Sequence, residues 1–454
     1  MTSRPVVLLW FRHDLRLADH PALSAAVKSG AAIVPVYVWA PEDEGRWPPG
    51  AAKRWWLRES LARLDESLRE RGSRLTVVSG PAARVLPSLA EACGASAVHW
   101  SRRYEPHALA VESAVERALA ERGVRAQAHT GSLLSEPWTI KTGSGTPYRV
   151  FTPYLRALQA SLDVPAPLPS PRVLESPESW PRVHALELST ISATAPWQAP
   201  LAERRRAGEA AARETLRGFI EKRLVDYGDS RDRPDHDSTS HLSPYLTHGE
   251  VSPRQVWHAA IHALERAGAT PEAARAHKFI SELLWREFAA HALYHFPELP
   301  DRSYQGSYEE LAWRRAPKDL AAWQHGRTGI DIVDAGMREL WLTGTMHNRV
   351  RMICASFLVK NLLIHWREGT QWFWDTLVDA DLANNSLNWQ WVAGTGPDAA
   401  PWFRIFNPAS QAERFDPEGV YRRRWLADAT DRPSRPIVDL ATTRERALRA
   451  AKER

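Results

Sequence analysis

One face of a predicted helix in the segment SELLWREF carries three side chains of unlike chemistry. Glu282, Trp285 and Arg286 occupy positions i, i+3 and i+4, so a carboxylate, an indole ring and a guanidinium project in the same direction. On these residues alone, the spacing predicts a surface ion pair beside a core tryptophan.

A second predicted helix, in GTMHNRVRM, presents an amide and a thioether together. Asn348 and Met352 stand at i and i+4, and Arg349 and Arg351 flank them. A neutral amide can donate a hydrogen bond to a base carbonyl without bringing a titrating charge, and a thioether is soft and polarisable. The pair therefore suits a site at which an aromatic group takes up charge.

The segment DADLANNSLNWQW is too polar for a core and too aromatic for a loop, so it predicts the lining of a pocket. In it, Asp379 and Asp381 precede Asn385, Trp389 and Trp391. Two acids at this spacing could begin a metal site, but no histidine or cysteine stands nearby to complete it. We therefore predict no metal.

The segment DSTSHLSPYL predicts the start of a helix. Ser243 is the expected N-cap, and Pro244 is the expected first helical residue. Free backbone N–H groups there, together with the hydroxyls of Thr239, Ser240 and Ser243, would form a seat for a diphosphate. A capped helix start that binds no ligand is the alternative.

Short apolar runs alternate with longer helical patterns in the first third of the chain. The predicted strands are residues 6–11, 33–39, 75–78, 97–100 and 125–129, and the clearest helices are 54–71 and 108–122. Strands separated regularly by helices form right-handed crossovers, which predict a parallel sheet covered on both faces. Because FRHDLRL follows the first strand in place of a glycine-rich fingerprint, we do not expect a dinucleotide in the usual Rossmann position.

The remainder of the chain reads as a connection followed by helices. Residues 163–200 are rich in proline and serine and lack periodicity, so we expect them to lie over the surface. The predicted helices beyond them are 204–223, 253–266, 271–294, 329–342 and 347–366. The expected fold class is thus α/β plus all-α: a doubly wound, Rossmann-like domain over 1–131, a linker over 132–203, and a helical domain over 204–454.

Composition narrows the class of protein. With 454 residues, 44% hydrophobic and 25% charged, the chain is long enough for two ordinary soluble domains. A pI near 9.2 at a formal charge of +5 favours a polyanionic partner. Cys93 and Cys354 cannot make a disulfide framework, and no stretch has the pattern of a signal peptide or a bilayer span. We expect a cytoplasmic, monomeric protein.

Several long strings together match one known family. The chain resembles DNA photolyases and cryptochromes from its opening LLWFRHDLRLADHPAL, through SELLWREF and DADLANNSLNWQW, to RRRWL near Trp425. It is most similar to microbial cyclobutane pyrimidine dimer (CPD) photolyases of class I or a closely related class. The resemblance implies an N-terminal antenna domain, a C-terminal helical FAD-binding domain, and FAD as cofactor.

The resemblance also implies a set of FAD contacts, in which Arg351 pairs with Asp379 and Asn385 lies beside flavin N5. The set comprises Tyr227, Thr239, Ser240, His241, Leu242, Ser243, Phe279, Glu282, Arg286, Asn348, Arg351, Asp379, Asp381 and Asn385. An amide at position 385 can accept from N5–H of a reduced ring, whereas a protonated carboxyl would donate to an oxidised one. Leu387 and Asn388 depart from the Gly-Gly frequent in the family.

A second implied set concerns the lesion and DNA. In related enzymes the residues matching Glu282, Asn348 and Met352 contact the pyrimidine dimer, and Trp285 and Trp391 match the walls of its pocket. Family positions near DNA phosphates correspond to Arg231, Arg349 and Arg404. Each arginine could equally be a solvated surface charge.

The resemblance assigns an electron-transfer chain from the protein surface to FAD to Trp389, Trp366 and Trp313. Three buried core rings are the alternative interpretation. If the rings approach at roughly 4.5 to 7 Å, as aromatic contacts do, electron hopping would photoreduce the flavin.

These features favour light-dependent repair of CPDs by electron transfer from photoexcited reduced FAD, the reaction of a deoxyribodipyrimidine photo-lyase on damaged DNA. By resemblance, enzymes acting on the (6-4) photoproduct have histidine at the position of Asn348, and plant cryptochromes tend to have aspartate there and to lose the tryptophan matching Trp285. A cryptochrome-like blue-light photoreceptor and a (6-4) photolyase remain alternatives, with a non-enzymatic flavoprotein or plain DNA-binding module behind them.

An antenna chromophore in the N-terminal domain is a further implication, either methenyltetrahydrofolate or 8-hydroxy-5-deazaflavin. The segment RRYEPHALAVE aligns with the folate segment of one branch, but His107 and Ala108 replace its Asn-Glu pair. Four neighbouring residues could line an antenna pocket instead: Lys53, Arg54, Trp55 and Trp56. A site without a chromophore is the third possibility.

Overall fold

A sheet of five parallel strands organises the N-terminal half of the computed structural model, which describes residues 4–182, 185–309 and 311–452. The strands are β1 (Val6–Phe11), β2 (Ala32–Trp39), β3 (Thr76–Ser79), β4 (Ala95–Ser101) and β5 (Arg125–His129). Their order is β3-β2-β1-β4-β5, and all neighbours pair in parallel. The predicted doubly wound parallel sheet is confirmed, with every strand displaced by at most two residues at either end.

Helices cover both faces of this sheet. They are α1 (Pro21–Lys28), α2 (Ala51–Arg69), α3 (Ala82–Cys93) and α4 (Pro106–Ala120). Side chains alternate along β1, so Leu9 and Phe11 pack with α1 and α2, whereas Leu8 and Trp10 pack with α3 and α4. The carboxyl ends of the strands therefore open at one edge, where loops from β1, β2 and β4 meet.

The connecting segment is more ordered than its composition suggests. It contains α5 (Phe151–Ser161), α6 (Leu188–Ile191) and α7 (Ala199–Arg204). The expected surface path is wrong for Leu174 and Ile191, which are buried in the layer beneath α1 and α2. Backbone hydrogen bonds hold this stretch in place: the N–H of Ile33 donates to the carbonyl of Glu175, and that of Leu174 to Arg71.

The rest of the chain is helical, as predicted. Its helices are α8 (Glu209–Lys222), α9 (Tyr227–Ser230), α10 (Ser243–His248), α11 (Pro253–Arg266), α12 (Pro271–Ala276), α13 (Lys278–His295), α14 (Pro317–Gln324), α15 (Asp331–Thr343), α16 (Asn348–Ser356), α17 (Trp366–Thr376), α18 (Leu382–Ala393), α19 (Pro408–Phe415), α20 (Val420–Leu426) and α21 (Leu440–Lys452). They enclose two hydrophobic clusters, one of which also takes in Trp55 and Trp56 of α2. Helix α2 thereby joins the two halves.

Three predicted helices are interrupted, each for a local reason. The helix expected over 204–223 breaks before α8 at Gly208, whose φ of 106° is incompatible with a continuing helix. The one expected over 271–294 breaks at His277, whose ring caps α13 by accepting from the N–H of Phe279. The one expected over 347–366 ends at Ser356, passes through a π-helical turn, and reverses at Leu363 with φ 54°.

Candidate active site: a cavity in the helical half

A cavity of about 580 Å³ opens in the helical half, among α9, α10, α13, α16 and α18. This volume lies within the range of pockets that hold cofactors or drug-sized ligands. Most of the site residues expected from the sequence line it: Tyr227, Arg231, Ser240, Leu242, Ser243, Phe279, Glu282, Trp285, Arg286, Asn348, Arg349, Arg351, Met352, Asp379, Asp381, Asn385, Trp389 and Trp391. The fold thus brings together segments that are far apart in sequence.

Five expected site residues lie outside this lining. His241 is exposed, has φ 55°, and turns its ring to Asp237 at 2.6 Å. Thr239 is half-buried nearby, and Arg404 is exposed, with its guanidinium 5.6 Å from the Trp391 ring centroid. The other two, Trp313 and Trp366, lie deeper in the helical half.

An ion pair marks the inner end of the cavity. Arg351 Nη2 lies 2.8 Å from Asp379 Oδ2, and the same carboxylate oxygen accepts from the Ser243 hydroxyl at 2.6 Å. The N-cap assignment of Ser243 is wrong: Leu242 is the cap residue, Ser243 is the first residue of α10, and its hydroxyl serves Asp379 instead of the helix. The pair places a hydroxyl and a guanidinium beside one another, as a phosphate or ribose contact requires.

Asn385 presents a hydrogen-bond acceptor to the cavity. Its Nδ2 donates to the backbone carbonyl of Thr370 at 3.1 Å, and its side chain is buried in the cavity wall. One amide N–H is engaged there, so the carbonyl oxygen is available as an acceptor and the second N–H as a donor. Asp381 caps α18, where one carboxylate oxygen accepts from both the backbone and the side-chain N–H groups of Asn384.

Aromatic and charged groups form the mouth of the cavity. Trp285 stacks on Phe151 of α5, with ring centroids 3.7 Å apart and planes 15° from parallel, so one face of its ring is fixed. Glu282 is in contact with Arg231, and its carboxylate lies 2.8 Å from Lys278 Nζ. The acid therefore lies between two cations at the rim.

The helix α16 carries the expected amide and thioether on one side of this mouth. Asn348 Nδ2 lies 4.0 Å from Met352 Sδ, in agreement with the i, i+4 spacing. Burial lowers the pKa of His347 to about 4, so its ring is neutral near neutral pH and Nδ1 accepts from the N–H of Arg349. Glu339 accepts the backbone N–H of His347 at 3.1 Å. The first turn of α16 is consequently fixed before any ligand binds.

Three comparisons agree on what this architecture is similar to. Residues 7–172 match the family model described as DNA photolyase, and residues 279–453 match that of the FAD binding domain of DNA photolyase. A deoxyribodipyrimidine photo-lyase of Agrobacterium fabrum is 47% identical over 423 residues, which are 93% of this chain and 87% of that protein. The chain belongs to the DNA photolyase family.

Two further relatives show how broad the family likeness is. The crystal structure of a bacterial class III photolyase from Agrobacterium tumefaciens superposes with a TM-score of 0.92 at 44% identity, covering 100% of this chain and 98% of that one. Cryptochrome-2 of Arabidopsis thaliana is 36% identical over 96% of this chain and 77% of its own length. Membership of class I is thus not confirmed, because the solved photolyase with this similarity is named class III.

The cavity fits the FAD that a photolyase binds. Its inner end offers the Arg351–Asp379 pair and the Ser243 hydroxyl for the polar part of the cofactor, and the Asn385 carbonyl for a ring N–H. Trp389 closes it on the apolar side. The FAD-binding domain is therefore present both as sequence and as a cavity of suitable size and chemistry.

The three tryptophans of the implied electron path belong to one hydrophobic cluster. Trp389 lines the cavity, Trp366 is fully buried, and Trp313 is half-buried. The His365 ring lies between the last two, with its centroid 5.5 Å from Trp366 and 4.8 Å from Trp313. Gly369 of α17 packs so closely on the Trp389 ring that an added Cβ would lie 2.1 Å from it. Trp389, Trp366 and Trp313 thus follow one another from the cavity towards the surface.

Sequence reasoning missed several contributors to this site. Phe151, which supports Trp285, comes from the connecting segment, and Asp232, which contacts Arg349, is 117 residues away from it. No local sequence pattern predicts either contact. Lys278 could have been found, because it stands four residues before Glu282 on the same helix.

The crevice at the carboxyl end of the sheet does not fit an antenna chromophore in this structure. It holds a volume of only about 50 Å³, far below the several hundred Å³ of ordinary ligand pockets. Arg103 spans it to reach Glu44 at 2.6 Å and Glu105 at 3.0 Å, and His107 lies 2.9 Å from Glu44. His107 is thus engaged with the protein's own acid.

The four residues expected to line an alternative antenna pocket do not share one face of α2. Lys53, Trp55 and Trp56 are buried, whereas Arg54 is exposed, because four consecutive helical residues point to all sides of α2. Trp56 Nε1 donates to Glu250 at 3.0 Å, inside the joint between the two halves.

Among the residues that the structure describes, no group of three or more His, Cys, Asp or Glu could hold a metal ion. In the same part of the chain, no helix combines the length and the apolarity that crossing a bilayer requires.

Proposed function

We propose that this member of the photolyase family is a deoxyribodipyrimidine photo-lyase that repairs CPDs in DNA. Bound, fully reduced FAD, once excited by light, would lend an electron to the dimer and receive it back after the ring opens. The observation that carries this proposal is the single cavity that joins an inner end suited to a flavin with an aromatic mouth suited to two bases.

The mouth has the parts needed to hold an extruded dimer. A damaged pair stacks and pairs weakly in the duplex, so flipping it out costs less than flipping an intact pair. Trp285, already fixed against Phe151, would support one side of it, and Trp391 the other. Glu282 and Asn348 would accept from and donate to the base edges, and Met352 would contact the apolar ring.

Asn385 favours a cofactor that stays reduced. Its carbonyl oxygen can accept a hydrogen bond from N5–H of a reduced ring, one of its two N–H groups is engaged with Thr370, and position 385 has no carboxyl proton to give to an oxidised ring. The half-buried Trp313 would exchange electrons with solvent-borne reductants through Trp366 and Trp389, which keeps the reduced state replenished.

DNA would bind across the rim of the cavity. Arg231 and Arg349 line it and Arg404 adjoins it, so phosphates on either side of the flipped dimer would meet cations. We propose a monomeric, cytoplasmic protein. A light-harvesting folate or deazaflavin would need a site other than the closed sheet crevice.

Two alternatives differ at named positions. A cryptochrome-like photoreceptor is favoured by the 36% identity to Arabidopsis thaliana Cryptochrome-2, but the sequence keeps Trp285 and Asn348 where plant cryptochromes differ. A (6-4) photolyase would be expected to carry histidine in place of Asn348.

One assay separates these functions. The purified protein, with its FAD fully reduced, is illuminated with three matched duplexes that contain a CPD, a (6-4) photoproduct or no damage, and a dark sample accompanies each. We expect the CPD duplex alone to lose its lesion, in the light alone. Repair of the (6-4) duplex, or no repair of either, would refute the proposal.

A further inference from the structure

The cations at the mouth of the cavity are already paired with carboxylates of the chain. Arg349 contacts Asp232, Arg231 contacts Glu282, and Lys278 Nζ lies 2.8 Å from Glu282. Arg231 Nε is also 3.6 Å from Asp232. Within the described residues, three rim cations thus face two internal anions before DNA arrives.

The Arg349–Asp232 pair joins two separate elements at the rim. Asp232 follows the end of α9, and Arg349 lies in the first turn of α16, 117 residues further on. The side chain of Asp232 is 36% exposed, whereas that of Arg349 is 15% exposed. Such a partly exposed pair contributes little to stability, so a competing anion can replace the carboxylate at low cost.

A carboxylate and a phosphate present similar oxygens to a guanidinium, because both accept the parallel N–H groups of its fork. A DNA phosphate that approaches Arg349 therefore finds Asp232 already in the position from which the phosphate would accept the guanidinium N–H groups. Arg349 is also held from behind, with its guanidinium 4.5 Å from the Phe415 ring centroid, so it is aimed at the rim whichever anion it contacts.

We propose that Asp232 is an internal competitor for the DNA backbone: it occupies Arg349 in the free protein and yields it to a phosphate when DNA docks. This inference rests on the proposed DNA-binding function. Asp232 would weaken the binding of damaged and undamaged DNA alike, because it competes for the phosphate and not for the lesion. It would also speed the release of repaired DNA.

The salt dependence of binding reports this exchange. When Arg349 moves from Asp232 to a phosphate, the freed carboxylate takes up a cation, which offsets the counterion that the phosphate releases. Removing the carboxylate should therefore steepen the slope of log K against log salt by up to about 0.9, the contribution of one phosphate.

The test compares Asp232→Asn with Asp229→Asn, the removal of an exposed acid on the preceding helical turn that has no ion pair in the described residues. Dissociation constants are measured in the dark for undamaged and CPD-containing duplexes over a salt series. FAD content and melting temperature verify the fold. For Asp232→Asn we expect about fivefold tighter binding of both duplexes, the size of effect expected for loss of one exposed ion pair. The slope of log K against log salt should also be steeper in this variant. Asp229→Asn should change neither the dissociation constants nor the slope clearly.

Unchanged or weaker binding by folded Asp232→Asn would overturn the inference, since Asp232 would then be neutral or would merely position Arg349. Equal tightening by Asp229→Asn would overturn it too, because net charge alone would explain the gain. Failure of the wild-type protein to bind or repair damaged DNA would instead refute the proposed function, and it is recognisable without either variant.

Discussion

Two charged hollows in this molecule, the cavity of the helical half and the crevice of the sheet, differ in how much open volume they keep. The cavity of the helical half keeps about 580 Å³ open although arginines, a lysine and acids line it, whereas the sheet crevice is reduced to about 50 Å³. In the crevice, Arg103 after β4 reaches over the end of β1 to Glu44 after β2, so the ion pair closes the gap. In the cavity, pairs such as Arg351–Asp379 and Lys278–Glu282 join adjoining parts of one wall.

The comparison shows that charge alone does not identify a site. Ion pairs that span a hollow stabilise the fold at the expense of a ligand, while pairs along its wall neutralise one another and leave room. We therefore expect the cofactor and the substrate to bind, and the light-driven reaction to occur, in the open cavity. The ion pairs of the crevice should instead stabilise the fold.

The largest expected effect is on light-driven reduction of the bound flavin, which should need a tryptophan of the cavity and not one of the crevice. Replacing Trp389 by Phe should abolish light-driven reduction of the bound flavin, because Trp389 is the ring of the implied path that reaches the cavity. The matched control is Trp10→Phe, which alters a ring at the crevice, 5.9 Å from Trp100, and should leave reduction intact. Absorption spectra under illumination with an external reductant give the rates. Undiminished reduction in Trp389→Phe would remove it from the path.

The next effect concerns cofactor retention. Asp379→Asn deprives Arg351 and Ser243 of their charged partner, and loss of a hydrogen bond to a charged group costs about 1.5 to 3 kcal/mol. FAD should bind roughly 10- to 150-fold more weakly. Fluorescence titration with FAD measures this, with Asp331→Asn, an exposed ion-paired acid elsewhere, as control. Equal FAD affinity in both variants would contradict the assigned site.

The mouth should show a smaller, substrate-specific effect. Trp285→Ala removes a ring whose stacking on a base is worth about 1 to 3 kcal/mol, so CPD-containing DNA should bind roughly 5- to 150-fold more weakly. Undamaged DNA should bind as before, since it does not enter the mouth. Trp341→Ala, at an exposed tryptophan outside the cavity lining, is the control for loss of an indole. An equal loss for damaged and undamaged DNA would argue against a stacking wall.

A substitution in the crevice should change only the stability of the fold. Glu44→Gln should lower the free energy of unfolding by about 1.5 to 3 kcal/mol, because Arg103 and His107 lose a charged hydrogen-bond partner. Although burial opposes ionisation, Arg103 and His107 hold the pKa of Glu44 well below its usual range. The stabilisation is thus present above the unfolded pKa of about 4.3 and is lost as pH falls below it.

Denaturant titrations of wild type and Glu44→Gln at several pH values check this prediction, and their difference should shrink in acid. FAD content should not change. A chromophore bound better by the variant than by the wild type would show that the crevice is a closed ligand site and not a structural joint.

The sequence predicted the fold well where periodicity is strong and poorly where a single backbone angle decides. All five strands and the fold class were predictable, because alternation and crossover rules act locally. The breaks at Gly208, His277 and Leu363 were not, since a positive φ or a histidine cap arises from contacts made by the whole fold.

The site was predictable to the extent that motifs carry it. The Arg351–Asp379 pair and the shared face of Asn348 and Met352 formed as expected. Phe151 behind Trp285 could not be predicted, because the connection that carries it has no pattern of its own.

For repair to occur, the open cavity has to bring reduced FAD and an extruded CPD together. Single-turnover illumination of the protein, with its FAD fully reduced and bound to CPD-containing DNA, tests it most directly when dimers per duplex are counted before and after the light. Dimers should disappear, with FAD still reduced at the end. Dimers that persist under light, with FAD and DNA both bound, would contradict it.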